Sequence, residues 1–355
     1  MSPIFEFPHL SLAVGGATSF VLCMLIVFTK QWHGRLSLDS TEGIQKFHSS
    51  PTPRIGGLAI FISACTGMLV APDPVYSVLE PMLISALPVF VLGIAEDITK
   101  KIGITERLLA GLASGVLGWW LTGASLNRVD VWGLDILLTV APFSVAFTAF
   151  AVAGIANAVN MIDGFNGLAA GVVLIMLGAL GVIAYVAGDP ILAKVCIIFA
   201  GVVAGFFLLN FPYGKIFMGD GGAYFLGFCV AWLAVLLAAR NSNVSPWAGL
   251  VACSYPVIEV LFSVIRRHSR SMNVGHPDRL HLHTLVKYRV ARKRFPNAHA
   301  TLKNASVSPV IWGYAMVPAL AAIVLARSTP SLIAAFIIAV LAYRWQYRRL
   351  VNFGS

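Results

Sequence analysis

Five short polar stretches hold most of the residues in this chain that could do chemistry. In "NAVNMIDGFNG", residues 157–167, Asn157, Asn160 and Asp163 recur every three positions and share one face if the helix extends that far. Carboxamide oxygens ligate hard cations, and their NH₂ groups donate to sugar hydroxyls or phosphates. Gly164 and Gly167 permit a turn that returns Asn166 to the same pocket. A plain helix cap explains one or two such polar residues but not four. "FMGDGGAYFLG" places Asp220 before two glycines at the start of an apolar run. Glycines and a helix N-terminus suit a phosphate. Beside an aspartate, that phosphate needs a cation between them, and Mg²⁺ takes such oxygen ligands. An Asp N-cap followed by glycines for close helix packing accounts for the same residues, and the motif alone leaves both readings open.

"EDITKKIGITER" sets Glu96 and Asp97 near Lys100, Lys101 and Arg107. Adjacent carboxylates can share a metal or raise one another's pKa, while the lysines serve topology. "KFHSSPTPRIGG" flanks two prolines with Lys46, His48 and Arg54, a stiff basic loop suited to phosphates. "HPDRLHLH" offers His276, Arg279, His281 and His283. Zinc would need a fourth ligand and none is near, so an arginine fork toward a pyrophosphate fits better.

The elements that must position these loops are membrane helices. The 355 residues are 58% hydrophobic and 11% charged, with mean hydropathy +0.83, against about 25% charged in soluble domains. Apolar runs long enough to cross a bilayer recur throughout, and the short alternating segments of an outer-membrane barrel are missing. The expectation is an all-α polytopic bundle of about eleven spans, near 10–29, 55–71, 78–95, 106–122, 136–156, 167–187, 190–209, 222–239, 247–265, 307–326 and 331–349, forming one integral-membrane domain over 1–355. The first run reads as a retained span rather than a cleaved signal. Of 25 Lys and Arg, this map leaves only Arg128, Lys194, Arg240 and Arg327 on one side. The positive-inside rule makes the other side cytoplasmic, with the N-terminus periplasmic. All five polar loops then face the cytoplasm. The five cysteines fall within spans and form no CxxC pair, so neither a disulfide framework nor a zinc knuckle is indicated. Glu259, the main carboxylate inside a span, lies two turns from Arg266 and is expected to pair within the bundle. "KYRVARKRFPNAHA" reads equally as an interfacial helix on anionic lipid or a solvated charge run.

These loops, in this order, resemble the polyprenyl-phosphate N-acetylhexosamine-1-phosphate transferases, specifically the bacterial undecaprenyl-phosphate GlcNAc-1-phosphate branch of glycosyltransferase family 4 type that starts O-antigen or related glycans. Residues 46–57, 93–107, 157–168, 210–222 and 276–283 carry the resemblance. The peptidoglycan branch usually has three consecutive histidines where this chain has "HLH". The resemblance implies that Asp220 and Asn160 hold Mg²⁺, with Mn²⁺ as a substitute. It implies that Lys46, Arg107 and Arg279 face phosphates, that Asp163 and Asn166 line the sugar and nucleotide pocket, and that the last-loop histidines shape the nucleotide side. The expected partners are undecaprenyl phosphate, a UDP-N-acetylhexosamine and membrane lipid, with a homodimer compatible and no nucleic acid. Two departures stand out. Glu96-Asp97 replaces the usual Asp-Asp, and Asn166 stands where an aspartate is common. Glu96, Asp97 and Asp163 are the carboxylates expected to act on the reacting groups. A transporter of nucleotide-sugar or lipid-linked sugar, and a non-catalytic scaffold, are the rival classes.

Overall fold

The computed structural model describes residues 8–39, 51–269 and 280–352. Lys46, His48, His276 and Arg279 lie outside the described residues. The helix that organises the molecule is α11 (Gly219–Arg240), which is apolar on every face and buried over nearly its whole length. A helix without a polar stripe is stable only when enclosed. Around it stand α3 (Gly56–Leu69), α5 (Leu87–Thr99), α8 (Ala141–Ile162), α9 (Leu168–Ala187) and α12 (Pro246–Ala252). Small residues make this enclosure possible. A Cβ on Gly93 of α5 would lie 2.6 Å from the Gly221 Cα, and one on Gly227 would lie 2.7 Å from the Ala156 Cα of α8, so backbones meet where side chains would hold them apart. Outside this ring, α1 (His9–Phe28) packs on α3 and α10 (Pro190–Asn210), and α6 (Ile104–Thr122) packs on α5 and α8. The last two long helices are α17 (Val307–Leu325) and α18 (Thr329–Val351).

The chain is a multi-pass membrane protein. Among the described residues, seven helices are long and apolar enough to span, or up to nine if each bent pair is one span. The count differs from the expected eleven for identifiable reasons. The run near 78–95 is two helices, α4 (Asp73–Ser85) and α5, bent by 49°. The run near 247–265 is α12 and α13 (Ser254–Ser269), bent by 77°. Pro256 lies at the start of α13, where it has no N–H to continue the α12 ladder. The remaining two expected spans coincide with α3, only 14 residues long, and α6, which carries Glu106 and Arg107 in its first turn. The span expected from 136 runs instead from Ala141 to Ile162, preceded by the one-turn α7 (Leu134–Leu138).

Among the described residues there is one short sheet. β1 (Leu38–Asp39) pairs antiparallel with β2 (Thr52–Pro53), following α2 (Lys30–Ser37). This short ladder has a positional consequence. Beyond β2, Phe217 N–H donates to the Pro53 carbonyl at 2.8 Å, Gly56 N–H to Phe217 at 3.0 Å and Gly57 N–H to Met218 at 2.8 Å. Arg54 is thereby fastened beside the start of α11. In the basic stretch, α14 (Leu282–Val286), a π turn over Lys287–Ala291 and α15 (Arg292–Arg294) follow one another directly. Leu282, Leu285, Val286 and Ala291 dock into the core, and the charged Arg292–Arg294 turn is exposed.

Candidate active site

Asp220 sits in the first turn of α11, after Gly219 with φ +74°. A left-handed residue there costs glycine nothing and other residues strain. The neighbouring helix supplies the cap. Asp97, near the end of α5, accepts the Asp220 N–H at 2.8 Å and the Gly221 N–H at 2.9 Å. Its carboxylate also lies 3.2 Å from the Arg54 Nε. Arg54 continues to Asp220 at 2.5 Å, and Arg107 of α6 bonds the other Asp220 oxygen. Two carboxylates and two guanidiniums, from four separated segments, thus form one partly buried network. Asp97 is 2% exposed and both of its oxygens are engaged. Its geometry is that of a support for α11 rather than a group open to substrate. Glu96 keeps one oxygen on the Ile102 N–H at 2.7 Å, closing the turn after α5, where Lys100 is left-handed.

On the other side of Asp220 stand the carboxamides. The Tyr224 hydroxyl, one turn along α11, donates to Asn157 Oδ1 at 3.0 Å. The Arg107 guanidinium lies over the Tyr224 ring, 5.8 Å from its centroid. Asn157 is thereby joined to the helix that carries Asp220, and Asn160, near the close of α8, lies at the same end of the bundle. Helix α8 stops at Ile162, so Asp163 caps it and does not continue the Asn157–Asn160 face; its N–H bonds the Asn160 carbonyl at 3.1 Å. Asp163 still feels the cluster. Burial pushes its carboxyl up to about 7, Arg54 pulls it down, and the Asp220 charge raises it further.

Asn166 turns elsewhere. It is 3% exposed, and its amide donates to the Pro212 carbonyl at 2.9 Å, so the 163–167 turn does not return it to the carboxylates. Asn304 accepts the Asn166 N–H, Ser308 donates to the Asn166 carbonyl, and Asn210 accepts the Gly167 N–H. Asn166 is a brace between loops here. His281 and His283 are likewise inward. His281 Nδ1 lies 3.1 Å from Glu259, whose Oε1 also accepts the Leu282 N–H. The two rings stack at 5.2 Å, and His283 meets Phe165 edge-on at 5.4 Å. Burial holds His283 down at about 4, against the pull of Glu259, so the ring is neutral at pH 7. Glu259 thus pairs with the last loop, whereas Arg266 reaches the Leu280 carbonyl and Tyr347. The residues that the sequence reading missed are Tyr224, Asn210 and Asn304. Tyr224 had a signal: it follows Asp220 by four on one helix face.

Residues 80–238, which include Asp97, Arg107, Asn160 and Asp220, match the glycosyl transferase family 4 model. Over 243 residues the chain is 30% identical to a Bacillus subtilis protein named a probable undecaprenyl-phosphate N-acetylglucosaminyl 1-phosphate transferase, covering 67% of this chain and 66% of that one. The chain belongs to glycosyl transferase family 4. Two further proteins to which it is similar are the undecaprenyl-phosphate alpha-N-acetylglucosaminyl 1-phosphate transferases of Yersinia pestis and Escherichia coli K12. The first is 28% identical over 71% of this chain and 70% of its own length; the second is 24% identical over 74% and 72%.

For a family 4 transferase the donor set can be tested against a divalent ion. Among the described residues no three of His, Cys, Asp and Glu form a metal cage. The gathered groups are Asp220, Asp163 and the Asn160 carboxamide, all hard oxygen donors. An acid pair whose members raise each other's cost of ionisation favours a cation. A set this small fits Mg²⁺, which commonly takes one or two carboxylates and completes its shell with water and phosphate oxygens.

Proposed function

We propose that this protein transfers an N-acetylhexosamine-1-phosphate, GlcNAc-1-phosphate by default, from a UDP-sugar to undecaprenyl phosphate, releasing UMP. It would do so at the cytoplasmic face of the bacterial inner membrane, as the first membrane step of O-antigen or a related surface glycan. The observation that carries the proposal is the convergence of Asp97, Asp220, Arg54 and Arg107 at one end of the bundle, in a chain whose relatives bear names for this reaction. A phosphate oxygen of the prenyl phosphate forms a bond to the sugar-linked phosphorus, and the bond to the UMP oxygen breaks with its electron pair leaving on UMP. Mg²⁺, when bound, neutralises charge on the pyrophosphate.

The chain's own residues do the rest. Arg54 and Arg107 are paired to carboxylates in the protein alone and are placed to turn onto the two incoming anions. Asp97 holds the α11 amides and with them the direction of Asp220. A dedicated base contributes little, because a phosphate monoester with second pKa near ~6 is mostly dianionic at neutral pH. Any residual proton goes to Asp163, or to the Glu96 oxygen not held by Ile102. GalNAc, FucNAc and QuiNAc donors would need only small pocket changes, about 1–3 kcal/mol per contact.

The test is UMP release by purified protein given undecaprenyl phosphate and a panel of UDP-sugars. The expected result is divalent-dependent release that Asp220→Ala abolishes. Transport of labelled sugar across vesicles without UMP release would favour the transporter reading. Label trapped on the protein from UDP-sugar alone would replace direct attack with a covalent phospho-aspartate.

A further inference from the structure

A neutral imidazole carries its proton on one of two nitrogens, and the hydrogen bond made by one nitrogen decides what the other can offer. His281 and His283 stand over one carboxylate, that of Glu259 in α13, which is fully buried. Its Oε1 accepts the Leu282 N–H at 3.1 Å, and a backbone amide can only donate. The His281 Nδ1, 3.1 Å from that same acceptor oxygen, therefore brings a proton. Ser263 Oγ, 3.2 Å from this nitrogen, is compatible, because it already accepts from Arg266 at 3.3 Å and has a second lone pair. The other carboxylate oxygen takes the Tyr255 hydroxyl proton at 3.3 Å. Tyr255 has then given its only proton, so its contact with His283 Nδ1 at 3.5 Å also needs the proton on the ring. As neutral rings, both histidines are left with Nε2 as an acceptor. The rings are stacked with planes 7° from parallel, and His283 meets Phe165 of the 163–167 turn. The paired acceptors thus stand beside the candidate site.

We propose that Glu259 is a positioning residue that fixes both histidine tautomers, so that His281 and His283 present two Nε2 acceptors to the nucleoside end of the sugar nucleotide. The chemistry selects that end. A pyrophosphate offers acceptor oxygens and would face two lone pairs, whereas a nucleoside carries donors in its base imide and ribose hydroxyls. The inference rests on the transferase reading above and gives a task to a carboxylate inside a membrane helix, where such a group is costly without one. It also predicts an asymmetry between the rings. Glu259→Gln keeps an oxygen for Leu282 and His281 but turns an NH₂ toward Tyr255. The phenol then accepts that N–H and gives its own proton to His283 Nδ1, so His283 alone changes tautomer.

The experiment uses the full chain in detergent at pH 8 with 15N-labelled histidine. The ring nitrogens are read by NMR and assigned from His281→Gln and His283→Gln. In the wild type both rings are expected to carry the proton on Nδ1, and UMP, but not inorganic pyrophosphate, is expected to shift both Nε2 signals. In Glu259→Gln, His283 is expected to carry its proton on Nε2 while His281 is unchanged. The KM for UDP-GlcNAc should then rise about tenfold, the scale of one hydrogen bond replaced by two facing donors, with kcat and the undecaprenyl phosphate KM within about threefold of wild type. A proton on Nε2 of either ring in the wild type, which needs no variant to fold, or an unchanged His283 in Glu259→Gln would overturn the relay. Nε2 signals that move with pyrophosphate and not with UMP, or a loss of kcat at unchanged UDP-GlcNAc KM, would overturn the nucleoside assignment. All of these leave the transferase reading intact. A wild-type protein that neither binds UMP nor releases it would overturn that reading and the nucleoside assignment together, whatever the tautomers.

Discussion

Asp163 and Asp97 are carboxylates of one cluster that differ in their hydrogen-bond partners. Asp163 is partly buried beside Asp220, and that burial pushes its carboxyl up to about 7. Below pH 7 an incoming cation must displace its proton, so UMP release should fall with decreasing pH, about tenfold per unit well below 7. Asp163→Asn should flatten that profile at a low level. The stability of the free fold has the opposite sign. Between its ordinary value and 7 the folded state holds more protons than the unfolded one, so this group stabilises the fold as the pH drops through 7. Thermal melts of wild type and Asp163→Asn from pH 5 to 8 check the difference. Asp97 accepts two α11 amides and an arginine. Asp97→Asn removes an acceptor from a buried pair of donors and should cost about 1–3 kcal/mol of stability together with activity. Loss of activity with unchanged melting would return Asp97 to a direct chemical role.

At the scale of elements, the site depends on backbones that touch. Gly93 lets α5 lie against the start of α11, which brings Asp97 within reach of the α11 amides. Gly93→Val would place a Cβ 2.6 Å from the Gly221 Cα, where the obstacle is main chain and cannot rotate away. Overpacking of this kind costs about 1–3 kcal/mol or more, and here it should also remove activity by parting Asp97 from Asp220. Gly178 in α9 is the control, because a Cβ there meets nothing within 4 Å. Gly178→Ala should be neutral or stabilising by about 0.5–1 kcal/mol. Melting temperature and UMP release for the two variants separate close packing from a general intolerance of glycine replacement.

The whole molecule has two distinguishable ends. At the end that carries the site, Trp32 follows α1 and Trp345 lies near the close of α18 under Arg349; at the other, Trp120 ends α6 and Trp132 follows it. All four are exposed, as aromatic residues at the two membrane surfaces are. The second end is tied by side chains: Arg128 to the Ser242 and Val244 carbonyls, Thr329 to Asp130, and Arg240 to Asp189. The basic excess predicts that the site end faces the cytoplasm. In a cysteine-free background, a single cysteine replacing Lys215 should be protected from an impermeant thiol reagent in intact cells, and one replacing Gly188 should label. The reverse pattern would invert the proposed orientation.

Composition and periodicity were enough to establish a helical membrane protein, because a bilayer admits few solutions and each leaves long apolar runs in the chain. The order and spacing of five polar loops were enough for the family. Local patterns could not show that Asn166 braces a loop, that Glu259 meets His281 rather than Arg266, or that Asp97 accepts the N–H of Asp220, 123 residues away. Each depends on a partner distant in sequence, and a polar side chain looks the same in sequence whether it faces substrate or the backbone of another helix. Tyr224 sits inside an apolar run and drew no notice as chemistry. Only the packing of α8 against α11 brought its hydroxyl to the Asn157 carboxamide.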